Sequence, residues 1–129
     1  MTYYFARQLA IGFEEAIGKV TEALKREGFG ILTAIDVRET LKKKIDVEFR
    51  NYRIVGACNP TLAHKALELE DKVDTMLPCN VIVQELSGGK IEVAAIDPVA
   101  SMQAIANPRV KEAAGEVQAK LRRVIESLA

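Results

Sequence analysis

The 129-residue chain is 49% hydrophobic and 28% charged, which excludes the polar, charge-unbalanced composition of a disordered chain. Its 18 basic and 18 acidic residues cancel, so no long-range field draws it to nucleic acid or anionic lipid. No apolar run reaches the ~20 residues of a membrane span, and the N-terminus lacks the basic, apolar and cleavage regions of a secretory signal. The expectation is a cytoplasmic protein with neither nucleic acid nor membrane as a partner.

Residues 2–9, TYYFARQL, set Tyr3, Phe5 and Leu9 against Tyr4, Ala6 and Gln8 and read as a strand. From Phe13 to Glu27 the residues Phe13, Ala16, Ile17, Val20 and Leu24 recur at helical steps, and Gly28 and Gly30 supply the stop. ILTAIDV (31–37) is a second strand, and DVRETLKKKI a short helix begun by Asp36 and Glu39 in the D-x-x-E relation. YRIVGACN (52–59) is a third strand. PTLAHKALELE (60–70) follows as a helix with Leu62, Ala63, Ala66, Leu67 and Leu69 on one face.

CNVIVQEL and KIEVAAID, joined through SGG, read as a β-hairpin. After a short helix, residues 108–128 align Val110, Ala113, Ala114, Val117, Leu121, Val124, Ile125 and Leu128 on one stripe. The order is β-α-β-α-β-α-β-β with helices to close, and no linker divides residues 1–129, which implies a single α+β domain. The expected architecture is a two-layer sandwich, a five-stranded mixed sheet with helices packed on one face. The β-α-β crossovers favour parallel pairing and the hairpin is antiparallel.

Strands 31–37 and 52–58 carry large apolar residues on both faces, so both faces want cover. A second subunit is the economical cover and predicts a homodimer; a ligand cavity or a longer helical cover competes with it.

Both cysteines precede an asparagine, at Cys58-Asn59 and Cys79-Asn80. Asn59-Pro60, Asp97-Pro98 and Asn107-Pro108 each precede a helical pattern, the arrangement of an N-cap followed by proline. Asn59 therefore reads first as a cap, and Cys58 as a small buried residue whose nearness to a helix start could lower its thiol pKa. Asn80 opens a strand, where asparagine is disfavoured, so a turn contact and a ligand contact stand level.

His64 falls away from the apolar stripe of its helix and reads as a solvated side chain. With Cys58 and Cys79 it lacks the close ligand pairs that anchor zinc, so no metal site is expected. Asp36 and Asp97 end strands as Ile-Asp and serve equally as helix caps or as an acid-base pair. The basic run at 41–44, with Arg38, Arg50 and Arg53, reads as a solvated face. Nucleotide-loop, hydrolase-elbow and zinc-protease signatures are missing from the sequence, and no cofactor is implied.

GFGILTAIDVRETLKKKIDVEFRNYRIVGACNPTLAHKAL, followed by LPCNVIVQE, resembles the prokaryotic family called domain of unknown function 302. The resemblance implies a small α+β domain and no reaction. Its motif residues fall here on Asp36, Tyr52, Gly56, Cys58, Asn59, Pro60, Pro78, Cys79 and Asn80.

Two functions follow as expectations. One is a small dimeric binding or regulatory module that uses Asn80, Asn59, Asp36, Tyr52 or His64 toward a small molecule or a protein. The other is a thiol-dependent redox or nucleophilic enzyme working through Cys58 or Cys79. If strands 52–58 and 79–86 are parallel, the cysteines lie at opposite ends, about 20 Å apart. Only antiparallel or strongly offset strands bring them together.

Overall fold

Apolar residues at alternate positions commit five segments to strands. In the computed structural model, which describes residues 2–128, these are β1 (Tyr4–Leu9), β2 (Gly30–Asp36), β3 (Tyr52–Cys58), β4 (Cys79–Glu85) and β5 (Ile91–Ile96). The helices are α1 (Phe13–Arg26), α2 (Val37–Ile45), α3 (Pro60–Leu69), α4 (Pro98–Ser101) and α5 (Pro108–Ser127), with a 3₁₀ helix at Val73–Met76.

The polar residues before the prolines perform the capping expected of them. Asn59 Oδ1 accepts from the Leu62 amide at 3.2 Å, Asp97 Oδ1 from Val99 at 3.0 Å, and Asn107 Oδ1 from Arg109 at 3.0 Å. Each satisfies a helix amide that has no partner within its own helix. Asp36 does the same for α2, accepting from the Glu39 amide at 3.0 Å.

The sheet order is β1-β5-β4-β3-β2, and every neighbouring pair is antiparallel. The expectation of a mixed sheet is therefore corrected. A parallel crossover needs a connection that travels the length of a strand. The connections from β2 to β3 and from β3 to β4 instead start and finish at one end of the sheet, since Asp36 pairs with Arg53 and Ala57 with Cys79. The remaining helical connection, through α1, carries the chain from one sheet edge to the other, so its two strands are not neighbours.

The core joins Val55, Ala57, Val81, Val83, Ile91, Val93 and Ala95 of the sheet to Val20 and Leu24 of α1 and Leu121, Val124 and Ile125 of α5. Burying each Val, Leu or Ile contributes about 1.5–3 kcal/mol, and this apolar burial fixes both long helices on the strands. A smaller cluster of Ala66, Val73, Met102, Val110 and Ala114 ties α3 and the 3₁₀ helix to α5. The alternate strand residues form another row. Ile35, Ile54, Ile82, Ala94 and Ala6 are successive cross-strand partners over all five strands, and none of them is buried.

Candidate functional site

A cleft of about 410 Å³ draws its lining from both apolar clusters, including Ala57, Cys79, Ala66, Met102 and Val110. α3 forms one wall through Leu62, Ala63 and Leu67; α5 forms another through Ala113 and Val117. Its polar groups are few: Cys58, Cys79, Asn59, His64 and Asp74. A concave, mostly apolar volume with several polar groups is the usual form of a small-molecule site.

The antiparallel ladder settles the question left open by sequence. Cys79 stands opposite Ala57, so Cys58, the next residue, lies diagonally across from Cys79. Both residues border the cleft, although strand alternation turns their side chains toward opposite faces of the sheet. Cys79 is 6% exposed and Cys58 half-buried.

Burial pushes the Cys79 thiol up to about 11, and the neighbouring Cys58 adds to the shift. Cys58 is also raised, first by burial and then by the Asp74 carboxylate. The helix start beside Cys58 does not offset these effects. At neutral pH both sulfurs are thiols, whereas a thiolate nucleophile needs the opposite shift.

Asn59 holds the cleft's upper corner. While its Oδ1 caps α3, its Nδ2 lies where a side chain at Gly28 would approach: a Cβ there would come within 3.2 Å. Gly28 has φ +86°, a conformation that itself favours glycine. The end of α1 and the start of α3 are thus fitted to each other through one asparagine.

The other expected residues do not join this site. Asn80 pairs with Gly56 and faces the sheet's far side, in a shallow groove of about 400 Å³ with Tyr52, Tyr4, Ile82 and Glu92. Gln84 there donates to Glu92 at 2.9 Å and accepts from Arg50 at 3.0 Å. Asp36 is occupied as the α2 cap and lies 3.7 Å from the Arg53 guanidinium. Asp97 caps α4 and accepts from Gln118, so the two aspartates act as separate caps.

His64 sits at the cleft mouth with its Nε2 3.0 Å from Glu68 Oε1, its side chain 76% exposed as its helical phase implied. Among the described residues, no cluster of three or more His, Cys, Asp or Glu side chains is placed to hold a metal.

Asp74, Met102 and Leu32 of the cleft escaped sequence reasoning. Asp74 lies in a 3₁₀ turn that has no apolar period to announce it. Leu32 reaches the cleft from a β-bulge between Ile31 and Thr33, and such an extra residue breaks the alternation that would have placed it.

The family model described as "Domain of unknown function DUF302" matches residues 5–128. Among solved structures, the crystal structure of an uncharacterized conserved DUF302 protein from Bacillus stearothermophilus is similar, with 26% identity, a TM-score of 0.90 and 98% of each chain covered. No curated protein matches. Among the described residues, no helix is long and apolar enough to cross a membrane.

Proposed function

The chain belongs to the DUF302 family, a domain of unknown function, and from that premise we propose that it is a small dimeric binding module. The α3–α5 cleft carries the proposal. Its volume of about 410 Å³ falls within the ~300–1,000 Å³ range of ligand sites, and its walls suit a small apolar molecule. Asn59, Asp74 and the neutral Cys79 thiol are the polar groups that would orient it. No cofactor enters this reading.

The fold is read as one cytoplasmic domain of two layers, with helices on one sheet face and a second copy on the other. The far-face row of Ile35, Ile54, Ile82, Ala94 and Ala6 favours that partner, because contiguous exposed apolar surface marks an interface.

A neutral dye, N-phenyl-1-naphthylamine, tests the cleft. Its fluorescence should rise saturably with one dye per chain, and Ala63→Phe, which fills the cleft, should abolish the rise. Equal binding by the variant, or no saturation in the parent protein, removes the proposal.

Thiol-dependent activity at Cys58 or Cys79 is the second reading, and the shared cleft favours it. The raised thiol pKa values count against a standing thiolate nucleophile at neutral pH.

A further inference from the structure

The α3–α5 cleft has a sign. Among the described residues that line it there is neither lysine nor arginine, and Asp74 is the one carboxylate. His64, at the mouth, has its Nε2 3.0 Å from Glu68 Oε1, so in either protonation state that pair adds no positive charge. Asn59 and the neutral Cys79 thiol add none either.

Asp74 is fixed where it stands. It lies in the 3₁₀ helix Val73–Met76, whose first residue, Val73, is fully buried. The Thr75 amide and hydroxyl both donate to the Lys72 carbonyl, at 3.1 and 2.9 Å, and hold the turn. Glu68 of α3 and Glu116 of α5 have basic partners in His64 and Lys65. Among the described residues Asp74 enters no salt bridge, and its carboxylate accepts no hydrogen bond.

The first turn of α3 also opens on the cleft, through Asn59 and Pro60, and a helix start carries about half a positive charge. Asn59 Oδ1 already caps it, and half a charge leaves the whole charge of Asp74 in excess.

A fixed charge at the edge of an apolar volume selects ligands of opposite sign that carry an apolar body. We propose that the cleft takes an amine with an aliphatic or aromatic body, its ammonium group against Asp74 and its body between α3 and α5, against Leu62, Ala66, Val110 and Ala113. The same arrangement selects against fatty and aromatic acids, whose carboxylate meets Asp74 with no base to offset the repulsion. This inference rests on the reading of the cleft as a ligand site and adds the class of ligand.

The test displaces N-phenyl-1-naphthylamine from the full chain, at low ionic strength, with three probes of one chain length: octylammonium, octan-1-ol and octanoate. The ammonium should displace the dye at about tenfold lower concentration than octanoate, with the alcohol between them, because attraction and repulsion at an exposed carboxylate each amount to a few-fold. Salt at about 0.5 M should shrink that ratio. Asp74→Asn, which keeps the shape of the side chain, should bring the ratio within about twofold of unity, and Asp74→Lys should reverse it. The ratio is taken within each protein, so it does not depend on how tightly a variant holds the dye.

Equal displacement by ammonium and carboxylate, a ratio that survives Asp74→Asn, or displacement by methylammonium at the same concentration as octylammonium overturns the proposal while leaving the cleft a ligand site. Absence of saturable dye binding by the parent protein is the separate result that removes the cleft reading and the amine with it.

Discussion

The Thr33 side chain fills the space that a Cβ on Gly56 would occupy. An added carbon would collide with Thr33 Oγ1 and come within 2.8 Å of Pro78 Cγ. The two residues are cross-strand partners, so this contact locks β2 onto β3 one position before Ala57 and the cysteine pair.

Gly56→Ala should therefore destabilise the fold by about 1–3 kcal/mol, the usual range for overpacking. Thr33→Ala should recover part of the loss in a double-mutant cycle read by urea unfolding. An unchanged urea midpoint in Gly56→Ala contradicts the close fit, while a loss that Thr33→Ala does not relieve assigns the block to Pro78.

Removing the α3 cap has a different signature. Asn59→Ala should cost about 1 kcal/mol, because the Leu62 amide loses its acceptor. Asn59→Asp keeps an acceptor and should retain most of that stability. Equal losses in the two variants would place the effect in the Nδ2 packing against Gly28 rather than in the cap.

Stability should fall in alkali through Cys79. Its folded pKa is raised from 9.0 to about 11, so the folded state keeps its proton where the unfolded state has lost it. The contribution is full below about pH 9 and is lost as pH rises through about 11, amounting to roughly 3 kcal/mol at most. Urea midpoints measured from pH 8 upward should decline less steeply in Cys79→Ala than in the parent protein. Parallel declines would disprove the buried-thiol account.

The far sheet face supplies the test of assembly. Ile82→Glu places a charge in the middle of the apolar row, next to Ile54 and Ala94. It should yield a monomer by sedimentation equilibrium while far-UV circular dichroism stays native, because Ile82 lies outside the buried core. A parent protein that sediments as a monomer at every concentration refutes the dimer.

Much of the fold was legible because strand and helix periods are local. Val110, Ala113, Val117, Leu121 and Val124 announce α5 by spacing alone, and SGG announces the β4–β5 hairpin that the register contains. Strand direction was not legible. It depends on whether a helical connection spans the sheet or returns to the same end, and the apolar pattern of Leu62, Ala66 and Leu69 is the same in either case.

The candidate site inherited that ambiguity. Asn59-Pro60 was readable as a cap from two adjacent residues, whereas the meeting of Cys58 and Cys79 required knowing that β3 and β4 run in opposite directions. Asn80 illustrates the converse. It adjoins Cys79 in sequence, but strand alternation sends it to the opposite face.

The sheet order also has a consequence for synthesis. β1 is made before the other four strands, yet among the described residues its only strand partner is β5, with Tyr4 pairing to Ile96. Until β5 leaves the ribosome, β1 has no ladder to join and β4 keeps one open edge. With chain growth at about 5–20 residues per second, the β4 edge stays open for about one second, whereas β1 waits several seconds for its partner. The β2–β3–β4 unit, whose pairings are all between successive strands, can assemble ahead of it; the nascent chain builds the cysteine-bearing end of the sheet before it can close the other.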